Sequence, residues 1–108
     1  MKVQLVFFIP QDFTEKILTY IGRLGAGRIG KYSHCSFATG GWARFKPDDM
    51  AQPYYGKAGE IAKVREDRVE ILCLRSEVKK IISEVKKLHP YEEVGFSIFP
   101  VLDECELE

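Results

Sequence analysis

The chain is poor in the residues that metal and redox chemistry use. Its 108 residues include two histidines, His34 and His89, and three cysteines, Cys35, Cys73 and Cys105. The cysteines are odd in number, widely spaced and never in a CxxC pair, which argues against a zinc ribbon or a thioredoxin-like dithiol. No apolar run approaches the roughly 20 residues that a membrane span needs. Met1 to Pro10 carries one lysine and a short apolar stretch that Gln11 and Asp12 interrupt, which is not the pattern of a secretory signal. The expected setting is the cytoplasm, with reduced thiols. Neither charge is in excess: Lys plus Arg and Asp plus Glu number 16 each. There is thus no electrostatic footprint for nucleic acid or for an anionic membrane, and little repulsion to keep copies apart.

What is present suits one domain over residues 1–108, with 45% apolar and 30% charged residues. Val3, Leu5, Phe7 and Ile9 alternate with Gln4, Val6 and Phe8, which predicts a strand that Pro10 ends. Asp12 stands three before Glu15 in a capping-box pattern. Phe13, Ile17, Ile21 and Leu24 follow at helical spacing, so a first helix is expected from about Phe13 to Leu24. Gly22, Gly25, Gly27 and Gly30 end it, with Gly25 suited to the left-handed C-terminal position. A second strand is expected from about Tyr32 to Thr39, with Gly40-Gly41 as a turn. Trp42 to Gly59 reads as a short hairpin or a long functional loop. Ile61 to Val64 and Arg68 to Leu74 read as one long strand or as two pieces broken near Glu66-Asp67. Val78, Ile81, Ile82, Val85 and Leu88 form the apolar stripe of a second helix, which Pro90 stops. Val94 to Leu102 is a last strand. The order is β-α-β-β-α-β, an α+β ferredoxin-like pattern.

In that topology both helices lie on one face of the sheet, and a monomer keeps the other face polar. Here the strands are apolar on both sides, with Val6, Phe8, Phe99 and Val101 opposing the core positions. An uncovered apolar face of several hundred Å² invites a partner, so homo-oligomerisation is expected. The alternative is that the Trp42 to Gly59 segment covers the face.

The chemistry-bearing residues are few. His34 and Cys35 adjoin on an expected strand, so they point to opposite faces and cannot easily share a metal. Cys35 reads as a buried core thiol; a nucleophilic role would need His89 nearby. His89 closes the second helix and suits capping of its last carbonyls. The functional reading instead joins His89 with Tyr91, Glu92 or Glu93 in a ligand or metal site at a subunit boundary. Imidazole with carboxylate suits a divalent transition metal, and His34, His89 and Glu92 are the candidate ligands. Trp42, Tyr54 and Tyr55 in the middle segment would mark a binding surface if exposed. The Gly25 to Gly30 loop, with Arg23, Arg28 and Lys31, follows a helix rather than opening one. Its glycines therefore suit tight turns better than a phosphate cradle.

Two stretches, GAGRIGKYSHCSF (Gly25 to Phe37) and LHPYEEVGFSIFP (Leu88 to Pro100), resemble the YqfO proteins and the insertion domain of the Nif-three-like family. GGWARFKPDD, AQPYYGKAGE and VREDRVEILC resemble the middle segment and third strand of that domain, so the resemblance covers nearly the whole chain. It implies a stand-alone copy of the insertion domain with a ferredoxin-like fold related to the CutA and PII trimers, and favours a trimer over a dimer. The dinuclear metal centre of full-length Nif-three-like proteins lies between lobes that flank this insertion, so it does not carry over. Three readings stand: a non-catalytic, homo-oligomeric ligand-binding or regulatory module, with a site formed by His89, Tyr91, Glu92, Glu93, Trp42 and Tyr54; a small metal-binding protein using His and Glu side chains; or a structural partner that docks on another protein.

Overall fold

A computed structural model describes residues 1–108. The chain runs β1 (Lys2–Pro10), α1 (Gln11–Arg23), β2 (Phe37–Phe45), β3 (Ala62–Leu74), α2 (Val78–Leu88) and β4 (Phe96–Pro100), then a short 3₁₀ turn over Glu104–Glu106. The four strands form one antiparallel sheet in the order β2-β3-β1-β4. This is the ferredoxin-like fold expected.

Period-two alternation builds the core. Val3, Leu5, Phe7 and Ile9 of β1 are buried, and Cys73, Ile71 and Val69 of β3 stand directly opposite the first three. Ile17 and Ile21 of α1 and Val78, Ile81 and Val85 of α2 close over them. Tyr20 of α1 donates its hydroxyl proton to Glu84 of α2 at 2.8 Å, which ties the helices together at their outer edge. The other face of the sheet is left partly open. Phe8, Phe37 and Phe99 on it are 45%, 64% and 50% exposed.

Four local expectations need correction. First, α1 starts at Gln11, directly after Pro10, and no side chain caps it. Asp12 lies inside the first turn, so the capping box does not form; the N-cap position is taken by Pro10, at φ −55° and ψ 139°. Thr14 Oγ1 donates to Asp67 Oδ2 at 2.7 Å, which holds this end of the helix on β3. Second, β2 begins at Phe37 rather than Tyr32. The preceding residues make a tight Ile29–Tyr32 bridge, and Gly27 N–H donates to Leu72 O at 2.7 Å, filling the sheet edge where β2 has not begun. Third, Gly40-Gly41 is no turn. Both residues lie inside β2, opposite Asp67 and Glu66, and a Cβ on Gly40 would meet Gln11 Nε2 at 3.1 Å. Glycine here makes room for the side chains at the start of α1. Fourth, β4 starts only at Phe96, because Val94 and Gly95 belong to the segment after α2. Of the two readings of Ile61 to Leu74, the single strand holds: β3 runs for 13 residues with no break at Glu66-Asp67.

Gly27 has φ +79°, and a Cβ there would collide with the Cys35 backbone. Gly41 has no positive φ and open space around it. Gly27→Ala is therefore expected to destabilise by more than about 1 kcal/mol, while Gly41→Ala is neutral or stabilises by about 0.4–1 kcal/mol. Urea denaturation checks this pair, and equal losses would contradict it.

Candidate functional site

Strand β3 overhangs the sheet. It pairs with β1 over Glu66–Leu74 and with β2 over Ala62–Glu70, so the β2–β3 ribbon runs on past the end of β1. At the base of that ribbon lies a groove of about 940 Å³, walled by the ribbon, by the loop through Pro47, Pro53 and Tyr55, and by Tyr91 to Gly95. Phe8, Glu66 and Arg68 form part of its floor. Strand alternation puts these three on the face away from the helices, because Phe8 pairs with Arg68 while Phe7 and Val69 point into the core.

Tyr91 is the hub of the groove. Its ring centroid lies 5.9 Å from Phe45, 6.5 Å from Tyr54, 6.3 Å from Tyr55 and 4.9 Å from His89. Tyr54 in turn meets Tyr55 edge-on at 4.6 Å and Phe13 of α1 at 6.1 Å. The Tyr91 hydroxyl donates to Glu66 Oε2 at 2.5 Å, the length of a charge-assisted O–H···O⁻ bond. Burial and this carboxylate together hold the Tyr91 hydroxyl far above its ordinary pKa. The Gln52 N–H donates to Glu92 Oε1 at 2.6 Å, fastening the middle loop to the segment after α2.

His89 lies beneath this cluster, and both its ring nitrogens are committed. Nδ1 accepts the Tyr91 N–H at 3.1 Å, so Nε2 carries the proton and donates it to Phe8 O at 2.7 Å. The ring is a neutral strut between α2 and β1. It does not cap helix carbonyls, a role its backbone N–H takes by donating to Val85 O at 2.9 Å. Burial holds its pKa below the ordinary 6.5, against the opposing pull of the Phe8 carbonyl and Glu66.

The structure thus brings Trp42, Tyr54, Tyr91, Glu92 and Glu93 to one groove, with His89 below it. Trp42 stands exposed on the ribbon with Lys63 Nζ 4.8 Å and Arg65 Cζ 5.2 Å from its ring centre. His34 is elsewhere. It lies in the loop after α1 at φ 60°, not on a strand, and bonds Ser33 Oγ at 2.9 Å. That loop is anchored at Leu72, opposite Gln4, whereas His89 is anchored at Phe8, four strand residues or about 13 Å away. His34, His89 and Glu92 do not converge, and no three His, Cys, Asp or Glu side chains cluster as a metal site. Cys35 is half-buried in the same loop rather than in the core, its thiol directed to Ser33 O at 3.8 Å and remote from His89. The core thiol is Cys73, which burial pushes up to about 11. Glu66, Phe45 and Arg68 escaped the sequence reading. For Glu66 the available signal was an acidic residue at an open-face position of an otherwise ordinary strand.

No family model matches the chain. A Bacillus subtilis (strain 168) protein named "GTP cyclohydrolase 1 type 2 homolog" is 42% identical over 98 residues, which are 91% of this chain and 26% of that protein. A solved Bacillus cereus protein related to NIF3 superposes with a TM-score of 0.80 at 32% identity, over 94% of this chain and 26% of its own. The chain is related to one segment of the Nif-three-like proteins. It spans about a quarter of the length of the curated relatives it matches. The periplasmic divalent cation tolerance protein CutA from Archaeoglobus fulgidus shares the fold of this Nif-three-like segment, with a TM-score of 0.71 at 15% identity over 97% of this chain and 91% of its own.

Two outcomes follow from the geometry. Because the folded state holds His89 neutral while the unfolded chain protonates near 6.5, His89 contributes full stability above that pH and loses it as the pH falls towards the lower folded-state value. Denaturation midpoints taken from pH 7.5 to 5.5 are expected to fall, and to fall less in His89→Gln; identical slopes would contradict this. Tyr91→Phe strips the buried Glu66 carboxylate of its donor, with an expected cost of about 1–3 kcal/mol in the same assay.

Proposed function

We propose that the chain is a non-catalytic, self-associating binding module whose ligand occupies the groove at the base of the β2–β3 ribbon. The observation that carries this reading is the groove itself. Its walls combine aromatic rings with a few placed polar groups, the make-up typical of small-molecule sites. Because His89 is committed to the backbone on both ring nitrogens, it serves as a positioning residue for Tyr91 rather than as an acid, base or metal ligand. The cyclohydrolase likeness in the relatives' name concerns proteins about four times as long, so the reading for this chain rests on its own groove.

Self-association is supported by the open sheet face, where Phe8, Phe37 and Phe99 leave apolar surface in water that a second copy would cover. The likeness to CutA and PII folds favours a trimer in this reading. A cytoplasmic setting is part of it too, supported by three unpaired thiols. No helix is long and apolar enough to cross a membrane.

Phe99→Asp places a charge on the open face, on the edge strand β4. The variant is expected to elute at the 12.4 kDa monomer mass in size-exclusion chromatography with light scattering, while the parent elutes as a multiple. A variant that keeps the parent's size would refute the open face as the assembly surface.

A further inference from the structure

The groove holds a carboxylate without a cation. Glu66 is 5% exposed, yet its single side-chain partner is the Tyr91 hydroxyl on Oε2, and neither of the molecule's ion pairs involves it. Its other oxygen, Oε1, has no partner and is not sealed from solvent, so the carboxylate keeps acceptor capacity that is open to the groove. The groove's own cations are not placed to answer it. Arg68 is turned to Glu70 at 4.0 Å and to the Phe8 ring at 5.8 Å, and neither Arg44 nor Lys46 comes within ion-pair distance. Four carboxylates (Asp48, Glu66, Glu92, Glu93) against three cations (Arg44, Lys46, Arg68) leave the lining one negative charge in excess.

Around Tyr91, which holds Glu66, stand Phe45, Tyr54 and Tyr55, with interplanar angles of 48° to 84° between neighbouring rings. Rings set steeply to one another make walls rather than a stack, and their negative faces attract a cation. Aromatic walls over a buried carboxylate favour a positive head group carried on an apolar stem. A bare metal ion would need several hard donors, and no cluster of three is present.

Resting on the reading of this groove as the ligand site, we infer that it takes an organic cation, a primary ammonium on an alkyl stem, with the nitrogen against Glu66 and the stem against Tyr55 and Tyr91. The ammonium donates to the free acceptor positions of the Glu66 carboxylate, while Tyr91 keeps its hydrogen bond to Oε2. His89 holds Tyr91 through the backbone, so the carboxylate's orientation is set before the ligand arrives.

The test is a set of titrations followed by amide chemical shifts in two-dimensional NMR of the full chain. The probes are n-butylammonium chloride, sodium n-butyrate and n-butanol. Butylammonium is expected to shift the amides of Glu66, Tyr55 and Tyr91 saturably, with a Kd on the order of millimolar for so few atoms. Butyrate is expected to leave them unmoved, and butanol to bind at least tenfold more weakly. Glu66→Gln keeps the shape and removes the charge, and is expected to weaken butylammonium at least tenfold; Tyr55→Ala, distant from the core, is expected to weaken it severalfold. Saturable butanol or butyrate shifts in the groove that butylammonium does not exceed would overturn the cation inference and leave the groove as a ligand site. Equal butylammonium affinity in Glu66→Gln would overturn it as well. Groove amides that respond to none of the three probes would overturn both the inference and the reading on which it rests.

Discussion

The register of β3 is the constraint on which the rest depends. Its 13 residues are shared between two partners, β1 along Glu66–Leu74 and β2 along Ala62–Glu70. Side chains alternate across the sheet, so this register puts Val69, Ile71 and Cys73 in the core and, in the same stroke, Glu66 and Arg68 on the open face. A slip of one residue would send Glu66 into the helix layer and the core residues into water. The overhang past β1 has a similar double effect. It leaves a ribbon with no third strand beside it, and the groove lies where that ribbon departs from the sheet.

The segment after α2 then completes the site. Helix α2 is fixed by apolar packing, and its end delivers His89 to the Phe8 carbonyl and Tyr91 to Glu66. A neutral imidazole bonded to backbone at both nitrogens has little freedom, so the Tyr91 ring is placed by two elements at once. The carboxylate of Glu92 extends this order to the middle loop through Gln52. Burial of one histidine thus links the hydrophobic core to the polar chemistry of the groove.

The elements with strong periodicity were legible from residues alone. The stripes of α1 and α2 and the alternation of β1 predicted their structure, and the fold class followed from their order. The failures share a cause, which is that tertiary contacts decided matters that local pattern left open. Gly40-Gly41 has the composition of a turn, but in the structure the missing side chain of Gly40 makes space for Gln11 beside β2. Cys35 read as a small apolar core residue because a strand was expected from Tyr32, and the start of β2 at Phe37 leaves it in the loop, while Cys73 is the thiol that is buried. Part of the site was legible because Tyr91, Glu92 and Glu93 follow a helix stop, and Trp42 and Tyr54 are conspicuous aromatics. Glu66 was not, since a single acidic residue on a strand is most often solvated. The metal reading rested on two histidines that the fold holds apart.

The central claim is that one molecule combines an assembling sheet face with a ligand groove. Native mass spectrometry of untagged protein prepared without chelator tests it most directly, because one spectrum gives both subunit number and retained mass. The account predicts a multiple of the 12.4 kDa chain, with three copies favoured, and any retained mass to be that of a small organic cation. A bare 12.4 kDa species across micromolar concentrations would contradict it.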